Sequence, residues 1–384
     1  MMNFNFKFYG NVRFGSGCRF DIKEIIDSND INQIVVVIDE NVRNNDATKD
    51  ILRIINKYVI KEIVFDASKP TYEKLDEKRF DSIEHNIDAI LAIGGGSTID
   101  LAKGLSVLYT NNAPAISYRG FNKFKTPILP IIAVPTTAGT GSEITPNASF
   151  IDTKEKRKMG INGEAIRPKY AILDPELTLS CPRTPTISAG MDSMVHATEA
   201  FVAKKSNPIA RMFSKKGFSL VLEFLPLLIY DLHNIELREK VMYGAFLSAI
   251  ALMNSGSGPA AAMSYPLEVH FGIPHGMGGG VFLPQVIKYN MENGFVGYEE
   301  LLERRVGKSS VQGGNSESFL ETIDRVWDKL EMPRSIRPFG VDENNLNLVV
   351  DDTMELEAAL QQNPLPFERK TIHGIMERLL ISQT

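Results

Sequence analysis

Five consecutive β-branched residues at positions 34–38, IVVVI, constrain the fold of this chain more than any other stretch. A strand with one face in water alternates apolar and polar side chains, so an unbroken apolar run predicts a strand buried on both faces, as in a parallel sheet. Further strands are predicted at 61–65, 88–93 and 128–134, and helices at 20–28, 46–57, 72–86 and 98–109. This alternation predicts a doubly wound, Rossmann-like α/β domain with a parallel sheet.

The pattern changes after residues 181–185 (CPRTP), which we interpret as a linker. From Ser188 onward apolar residues recur at helical spacing, and strand-like runs are scarce. Helices are predicted at 188–204, 207–230, 235–252, 257–271, 276–292, 298–307, 316–330, 342–352, 353–361 and 368–382. We therefore expect two domains, an α/β domain at 1–183 and an all-α helical domain at 184–384.

The overall composition excludes several classes of protein. The 384 residues carry a formal net charge of −5, which argues against a general nucleic-acid binder. Two cysteines fit a reducing compartment rather than a disulfide scaffold. The N-terminus lacks the pattern of a signal peptide, and no apolar run is long enough to span a bilayer. We expect a cytoplasmic protein that binds neither nucleic acid nor membrane.

A glycine-rich loop follows the predicted strand 88–93 directly, since residues 94–100 read GGGSTID. Glycines let a backbone approach a diphosphate, and the next helix offers free N–H groups and the positive end of its dipole. We expect Ser97 to cap this helix and Asp100 to complete a capping box, and we count Asp100 among the cofactor-binding candidates. The GxGxxG fingerprint is not matched, so a simple chain reversal is the alternative.

A second loop at 135–143, PTTAGTGSE, follows the predicted strand 128–134 and places hydroxyl groups where they can bind phosphate or ribose. Loops at the carboxyl ends of parallel strands lie where α/β sheets bind ligands. Asp39 ends the 34–38 strand, and a carboxylate there can bind a ribose 2′-hydroxyl and repel a 2′-phosphate, which favours NAD over NADP. Lys158 is long enough to reach ribose or phosphate, although a charged run such as 156–158 usually faces solvent.

Asp192 and His196 are four residues apart in a predicted helix, so their side chains project from one face, one turn apart. A carboxylate and an imidazole side by side form half of a divalent-metal site. His275, in the Pro-His-Gly sequence at 274–276, is a candidate third ligand. Taken alone, the two helical residues also fit an exposed surface pair.

Four segments in this order carry a close resemblance to the iron-containing (group III) alcohol dehydrogenases, within the dehydroquinate-synthase-like superfamily. They are residues 94–103 (GGGSTIDLAK), 135–143 (PTTAGTGSE), 190–200 (GMDSMVHATEA) and 274–276 (PHG). The resemblance implies an active site in the cleft between the α/β and helical domains, NAD or possibly NADP, and one divalent metal, iron or zinc. By motif, the metal ligands are Asp192, His196 and His275. The implied cofactor positions are Asp39, Gly95, Gly96, Ser97, Thr136, Thr137, Thr140 and Lys158.

The resemblance has one departure. The family's fourth metal ligand is a histidine fourteen residues before the histidine of Pro-His-Gly, and that position here is Ala261, which cannot bind a metal. The three remaining ligands match the number that catalytic zinc sites commonly use, whereas a four-ligand iron site loses several kcal/mol of affinity. His270 and Tyr265 are polar groups near the gap, and we consider His270 as a substitute ligand and either residue as a proton donor. Their alternatives are a packed histidine and a core aromatic.

Three functions follow from the resemblance. The first is an NAD(P)-dependent alcohol dehydrogenase, or aldehyde or ketone reductase, that uses a metal site lacking one ligand. The second is a metal-free reductase in which Tyr265 or His270 supplies the proton. The third is a nucleotide-binding member of the superfamily without redox chemistry. The implied substrate is a small alcohol, aldehyde or sugar-derived carbonyl compound, and the implied assembly is a homodimer paired through the predicted strand or hairpin at 4–14.

Overall fold

The computed structural model of the protein describes residues 3–8, 10–66, 69–79, 86–302 and 316–381. The chain divides into two compact units. The α/β unit comprises residues 8–182 and 233–242, and the helical unit comprises residues 1–7, 183–232 and 243–384. The predicted division at 183/184 did not anticipate that residues 1–7 group with the helices or that residues 233–242 group with the sheet.

A six-stranded parallel sheet is the centre of the α/β unit, and its strands run in the order β1-β9-β6-β4-β2-β3. Every residue of β6, β4 and β2, three of the four interior strands, is buried, as their largely apolar sequences predict. The strands are β1 (Asn11–Phe14), β2 (Ile34–Asp39), β3 (Val59–Phe65), β4 (Ala89–Gly94), β6 (Ile131–Pro135) and β9 (Tyr170–Leu173). The structure thus confirms the predicted parallel α/β fold.

A second, three-stranded sheet in this unit was not predicted. It has the order β5-β8-β7, with β5 at Gly120–Phe121, β7 at Asn147–Asp152 and β8 at Arg157–Asn162. Strand β8 reads RKMGIN and lacks an apolar run, because its antiparallel partner β7 supplies most of the buried side chains. The predicted strand at 4–14 is also too long, since residues 4–8 form no regular structure and Phe6 instead stacks on Phe213 of the helical unit.

Among the described residues, four α-helices lie wholly within the α/β unit. They are α1 (Ile22–Ser28), α2 (Asp46–Ile55), α3 (Tyr72–Lys78) and α4 (Gly96–Leu108). Helix α4 follows β4 almost without a connection, and eleven of its thirteen residues are buried. The start of α4 therefore lies at the carboxyl edge of the sheet, where the sequence predicts a nucleotide site.

The helical unit is built almost wholly from helices, as predicted. They are α5 (Arg183–Val202), α6 (Pro208–Leu228), the part of α7 (Ile235–Met253) from residue 243 onward, α8 (Pro259–Phe271), α9 (His275–Glu292), α10 (Ser316–Lys329), α11 (Leu346–Met354), α12 (Glu357–Leu360) and α13 (Arg369–Ile381). The helix predicted at 298–307 is a short 3₁₀ turn at Tyr298–Leu301, and its second half lies outside the described residues. No helix among the described residues is long and apolar enough to cross a bilayer.

Glycines at the start of α9 allow this helix to pack very closely on α5. A Cβ at Gly276 would lie 1.9 Å from the carbonyl oxygen of Ser188 and 2.9 Å from Cβ of Asp192. A Cβ at Gly280 would lie 2.9 Å from the Met191 side chain. Because the helices touch backbone to backbone at this point, the first residue of α9 lies beside the middle of α5.

Candidate metal centre and nucleotide loops

Asp192 and His196 lie one turn apart on α5, and both side chains are buried. Nε2 of His196 is 3.5 Å from Oδ1 of Asp192. Nδ1 of His196 is buried and has no hydrogen-bond partner among the described residues. A buried ring nitrogen without a partner costs free energy, and Nε2, the nitrogen that faces Asp192, is the atom placed to bind a cation.

His275 is the first residue of α9, and Pro274 is its N-cap residue. Nε2 of His275 lies 3.7 Å from the same Oδ1 of Asp192, so one carboxylate oxygen faces both imidazoles. The close contact of Gly276 with α5 fixes this position, which explains why glycine follows the histidine. The structure therefore brings together the three residues that the sequence predicts as metal ligands.

The geometry of these three groups fits a divalent cation. One ligand atom from each residue lies within 4.8 Å of the other two, and this is the one such cluster among the described residues. In a tetrahedral site with metal–nitrogen distances near 2.0–2.1 Å, ligand atoms are about 3.4 Å apart. The observed 3.5 and 3.7 Å are close to that value. The donors, one carboxylate and two imidazoles, suit zinc or iron.

Ala261 lies in the first turn of α8 and is buried. Its surroundings are fixed by Glu199 of α5, whose carboxylate accepts the backbone N–H groups of Gly258 and Ala260, each at 2.6 Å, and of Ala261 at 3.3 Å. These are the N–H groups that the start of a helix leaves unpaired, so Glu199 is the cap of α8. Burial nevertheless raises the pKa of Glu199 to about 7.

The sequence analysis missed Glu199 and also Ser264, one turn after Ala261. Oγ of Ser264 donates to the carbonyl oxygen of Ala261 at 2.6 Å and lies 2.6 Å from Nδ1 of His275. Glu199 was visible in the sequence only as part of the segment 190–200, and its partners are about sixty residues away. Long-range contacts of this kind leave no periodic signal in a sequence.

The two proposed proton donors differ in their surroundings. The ring of Tyr265 packs edge-on against the ring of His275, with centroids 4.7 Å apart. Nε2 of His270 lies 2.6 Å from Oδ2 of Asp352 on α11, and His270 does not belong to the cluster of ligand-type groups. Tyr265 is therefore next to the candidate centre, whereas His270 makes a hydrogen-bond-length contact with a carboxylate of another helix. Catalysis by either residue stays a prediction.

In the α/β unit, the two predicted nucleotide loops are in direct contact. A Cβ at Gly95 would lie 3.4 Å from Oγ1 of Thr137, and a Cβ at Gly96 would lie 2.8 Å from the Thr140 side chain. The Thr136 N–H donates to the carbonyl oxygen of Gly94 at 3.0 Å, which joins the ends of β6 and β4. Glycines and threonine hydroxyls thus form one continuous polar edge at the carboxyl ends of adjacent strands.

Asp39 ends β2, the next strand along the same sheet. Its Oδ1 accepts the N–H and the side-chain amide of Asn41 at 2.9 and 3.0 Å, while Oδ2 accepts no hydrogen bond from the described residues. Lys158 lies on β8. Burial raises the pKa of the Asp100 carboxyl, and the positive charge of Lys158 partly lowers it. A role of Asp39 or Lys158 in holding a cofactor stays a prediction.

The expected capping box at Ser97 and Asp100 is wrong. Helix α4 begins at Gly96 with Gly95 as its N-cap residue, and no side chain caps it. Asp100 instead accepts the Ser149 N–H at 2.9 Å, with the ammonium of Lys103 at 3.7 Å. Lys103 is fully buried and donates to the carbonyl oxygens of Thr145 and Asn147. Asp100 is thus held inside the unit and does not cap the start of α4.

Comparison with known proteins agrees with this arrangement. A family model described as "Iron-containing alcohol dehydrogenase" matches residues 10–175, and the "Fe-containing alcohol dehydrogenase family, C-terminal" model matches residues 186–380. The chain belongs to the iron-containing alcohol dehydrogenase family, a family of oxidoreductases.

Individual relatives match over most of their length. An "Alcohol dehydrogenase 4" from Schizosaccharomyces pombe is 30% identical, covering 92% of this chain and 83% of the relative. An "NAD-dependent methanol dehydrogenase" from Bacillus methanolicus is 29% identical, covering 86% and 87%. Among solved structures, a 1,3-propanediol oxidoreductase superposes with a TM-score of 0.88 at 26% identity, covering 99% of this chain and 100% of that chain.

Proposed function

We propose that this protein is an NAD-dependent alcohol dehydrogenase, or aldehyde or ketone reductase, with one divalent metal ion held by Asp192, His196 and His275. The observation that carries the proposal is the convergence of three ligand atoms within 4.8 Å in a buried part of the helical unit. A bound ion would act as a Lewis acid that lowers the pKa of a substrate hydroxyl or polarises a carbonyl.

The chain's own residues hold and orient the reacting groups. Asp192 supplies one negative charge to the centre, so a divalent ion with this ligand set keeps a net positive charge toward the substrate oxygen. Burial of the Asp192 and His196 side chains strengthens electrostatic interactions at the site. Ala261 leaves one position without a protein ligand, which matches the three-ligand pattern of catalytic zinc sites and leaves room for the substrate oxygen.

We assign the dinucleotide to the loop edge of the α/β unit. The diphosphate would face the backbone of Gly95 and Gly96 at the start of α4, where free N–H groups and the helix dipole favour an anion. Thr137 and Thr140 would offer hydroxyls next to it. Oδ2 of Asp39, which accepts no hydrogen bond from the described residues, suits a ribose 2′-hydroxyl and disfavours a 2′-phosphate, so we propose NAD rather than NADP.

We propose a small alcohol or diol and its aldehyde as substrates, since the relatives include a methanol dehydrogenase and a 1,3-propanediol dehydrogenase. The test is NADH oxidation by protein purified without oxygen and loaded with Fe²⁺ or Zn²⁺, against short aldehydes, hydroxyaldehydes and keto sugars. Turnover should appear on loading and fall at least about 100-fold in His196→Ala. The control is His373→Ala, a matched substitution on α13 beside Glu377.

The metal-free reductase is the second candidate, because the phenol-bearing ring of Tyr265 contacts His275 and Ala261 removes one ligand. Turnover that survives a strong chelator but is lost in Tyr265→Phe would favour it over the metal enzyme. Turnover on no substrate despite tight NADH binding would favour the non-catalytic member of the superfamily.

We also propose a homodimer. Strand β1 is the last strand of the six-stranded sheet, so one of its edges has no neighbouring strand among the described residues. Size-exclusion chromatography with light scattering tests this, and a monomer at micromolar concentration would contradict it.

A further inference from the structure

We infer that Ser264 is a positioning residue that holds His275 in the tautomer required for metal binding. The inference rests on the proposed metal site, but it concerns hydrogen bonds that exist before any ion binds. A neutral imidazole carries one proton, and only the ring nitrogen without that proton can bind a metal. The position of the proton on His275 therefore decides whether this residue is a ligand.

The hydroxyl of Ser264 has one hydrogen and two near neighbours. Its oxygen lies 2.6 Å from the carbonyl oxygen of Ala261 and 2.6 Å from Nδ1 of His275. A carbonyl oxygen cannot donate, so two oxygens at that distance repel each other unless the hydroxyl hydrogen lies between them. The hydrogen of Ser264 therefore points to Ala261, and the oxygen lone pairs are left for His275.

The consequence for His275 follows directly. Nδ1 must carry the proton and donate it to Ser264, so Nε2 carries the lone pair. Nε2 is also the atom that faces Oδ1 of Asp192 at 3.7 Å. A buried hydrogen bond to the second nitrogen is the usual means by which a protein fixes a metal-binding histidine. His196 has no such partner on Nδ1 among the described residues, so Ser264 orients one of the two imidazoles.

Ser264 also connects His275 to the position of the missing ligand. Ala261 and Ser264 are three residues apart on α8 and lie on the same face. The chain of hydrogen bonds runs from the Ala261 carbonyl through Ser264 to His275. With three protein ligands instead of four, each remaining ligand contributes a larger share of the binding free energy. We therefore expect the metal affinity to depend strongly on Ser264.

The first test reads the tautomer in metal-free protein. Histidine-selective ¹⁵N labelling and two-bond ¹H–¹⁵N correlation spectra distinguish the two forms, and the His275→Ala spectrum assigns the signal. We expect the Nδ1–H form in the wild type and a shift toward the Nε2–H form in Ser264→Ala. The Nε2–H form in the wild type, or an unchanged signal in Ser264→Ala, would overturn the inference.

The second test is Zn²⁺ affinity by competition with a chromophoric chelator. Ser264→Ala should weaken binding by about 10- to 100-fold. The control is Ser255→Ala, because Ser255 is also a buried serine of the helical unit and donates to the Ala251 carbonyl at 2.6 Å. Equal losses in the two variants would show general loosening of the helices and contradict the inference. If the wild type binds no zinc, the proposed function fails while the tautomer measurement still decides the role of Ser264.

Discussion

The carboxylate of Glu199 accepts the backbone N–H of Ala261 at 3.3 Å, so Ala261 is held by a side chain from the helix that carries Asp192 and His196, two of the three proposed metal ligands. Asp192, His196 and Glu199 all lie on α5. The first two belong to the candidate metal centre, and the third caps α8. Position 261 is therefore fixed relative to the centre although alanine contributes no donor atom.

Ala261→His should restore the fourth ligand and increase the affinity for Fe²⁺ by at least about 100-fold. Position 261 shares a helix face with Ser264, which contacts His275, so an imidazole there points toward the same centre. Anaerobic competition titration with an Fe²⁺ chelator measures the change. The control Ala261→Leu adds comparable volume without a donor atom and should not gain affinity. Equal Fe²⁺ affinities in the histidine and leucine variants would contradict this placement.

Gly276→Ala should lower the free energy of unfolding by about 2–3 kcal/mol and release the metal. The added methyl would lie 1.9 Å from the Ser188 carbonyl oxygen, so α9 must move away from α5 and take His275 with it. Gly374→Ala on α13 is the matched control, because a Cβ there meets no atom within 4 Å. That control should stabilise the helix by about 0.5–1 kcal/mol. Urea unfolding measures the change in stability, and elemental analysis measures the metal content. Similar results for the two variants would contradict the close packing of α9 on α5 at Gly276.

Glu199→Gln should change how stability depends on pH. Burial raises the pKa of Glu199 from 4.5 to about 7 in metal-free protein, so the folded state holds a proton that the unfolded state loses above pH 4.5. The stabilisation is complete below about pH 4.5 and is lost as the pH rises through about 7, by up to roughly 3 kcal/mol. Urea unfolding in chelator at about pH 5 and about pH 8 should show this loss in the wild type but not in Glu199→Gln. Parallel pH profiles would refute the prediction.

Gly95→Ala and Gly96→Ala should separate cofactor binding from stability. A Cβ at Gly95 is in ordinary contact with Thr137 at 3.4 Å, so the unfolding free energy should change by only about 1 kcal/mol while NADH affinity falls at least about 10-fold. A Cβ at Gly96 would be 2.8 Å from Thr140, so that variant should lose both stability and affinity. Calorimetric NADH titration and thermal unfolding measure the pair. Undiminished NADH binding by Gly95→Ala would place the diphosphate elsewhere.

The sequence predicts the parts of this molecule that depend on local pattern. Continuous apolar runs such as residues 34–38 indicated the parallel sheet, and the spacing of Asp192 and His196 indicated their common helix face. The polar strands β7 and β8 were missed because they depend on each other for burial, which no local periodicity reports. The capping box failed because Asp100 pairs with Ser149, a contact that only the folded sheet creates.

The candidate metal centre was likewise predicted only in part from the sequence. Motif resemblance indicated the three candidate ligands and the gap at Ala261, and the structure brings the three candidates together. Motif resemblance did not indicate Ser264 or the capping role of Glu199, because both act through hydrogen bonds to residues of other turns and helices. Side chains proposed to bind the metal can be recognised from sequence motifs. Side chains that orient those residues can be recognised only from the coordinates.

Metal content after anaerobic loading tests the central claim most directly. Wild-type protein, His196→Ala and His373→Ala are loaded with Zn²⁺ or Fe²⁺, desalted and examined by elemental analysis. The three-ligand centre predicts about one ion per chain in the wild type and in His373→Ala, and almost none in His196→Ala. No bound metal in the wild type, or an equal content in His196→Ala, would contradict the assignment of Asp192, His196 and His275 as the metal site.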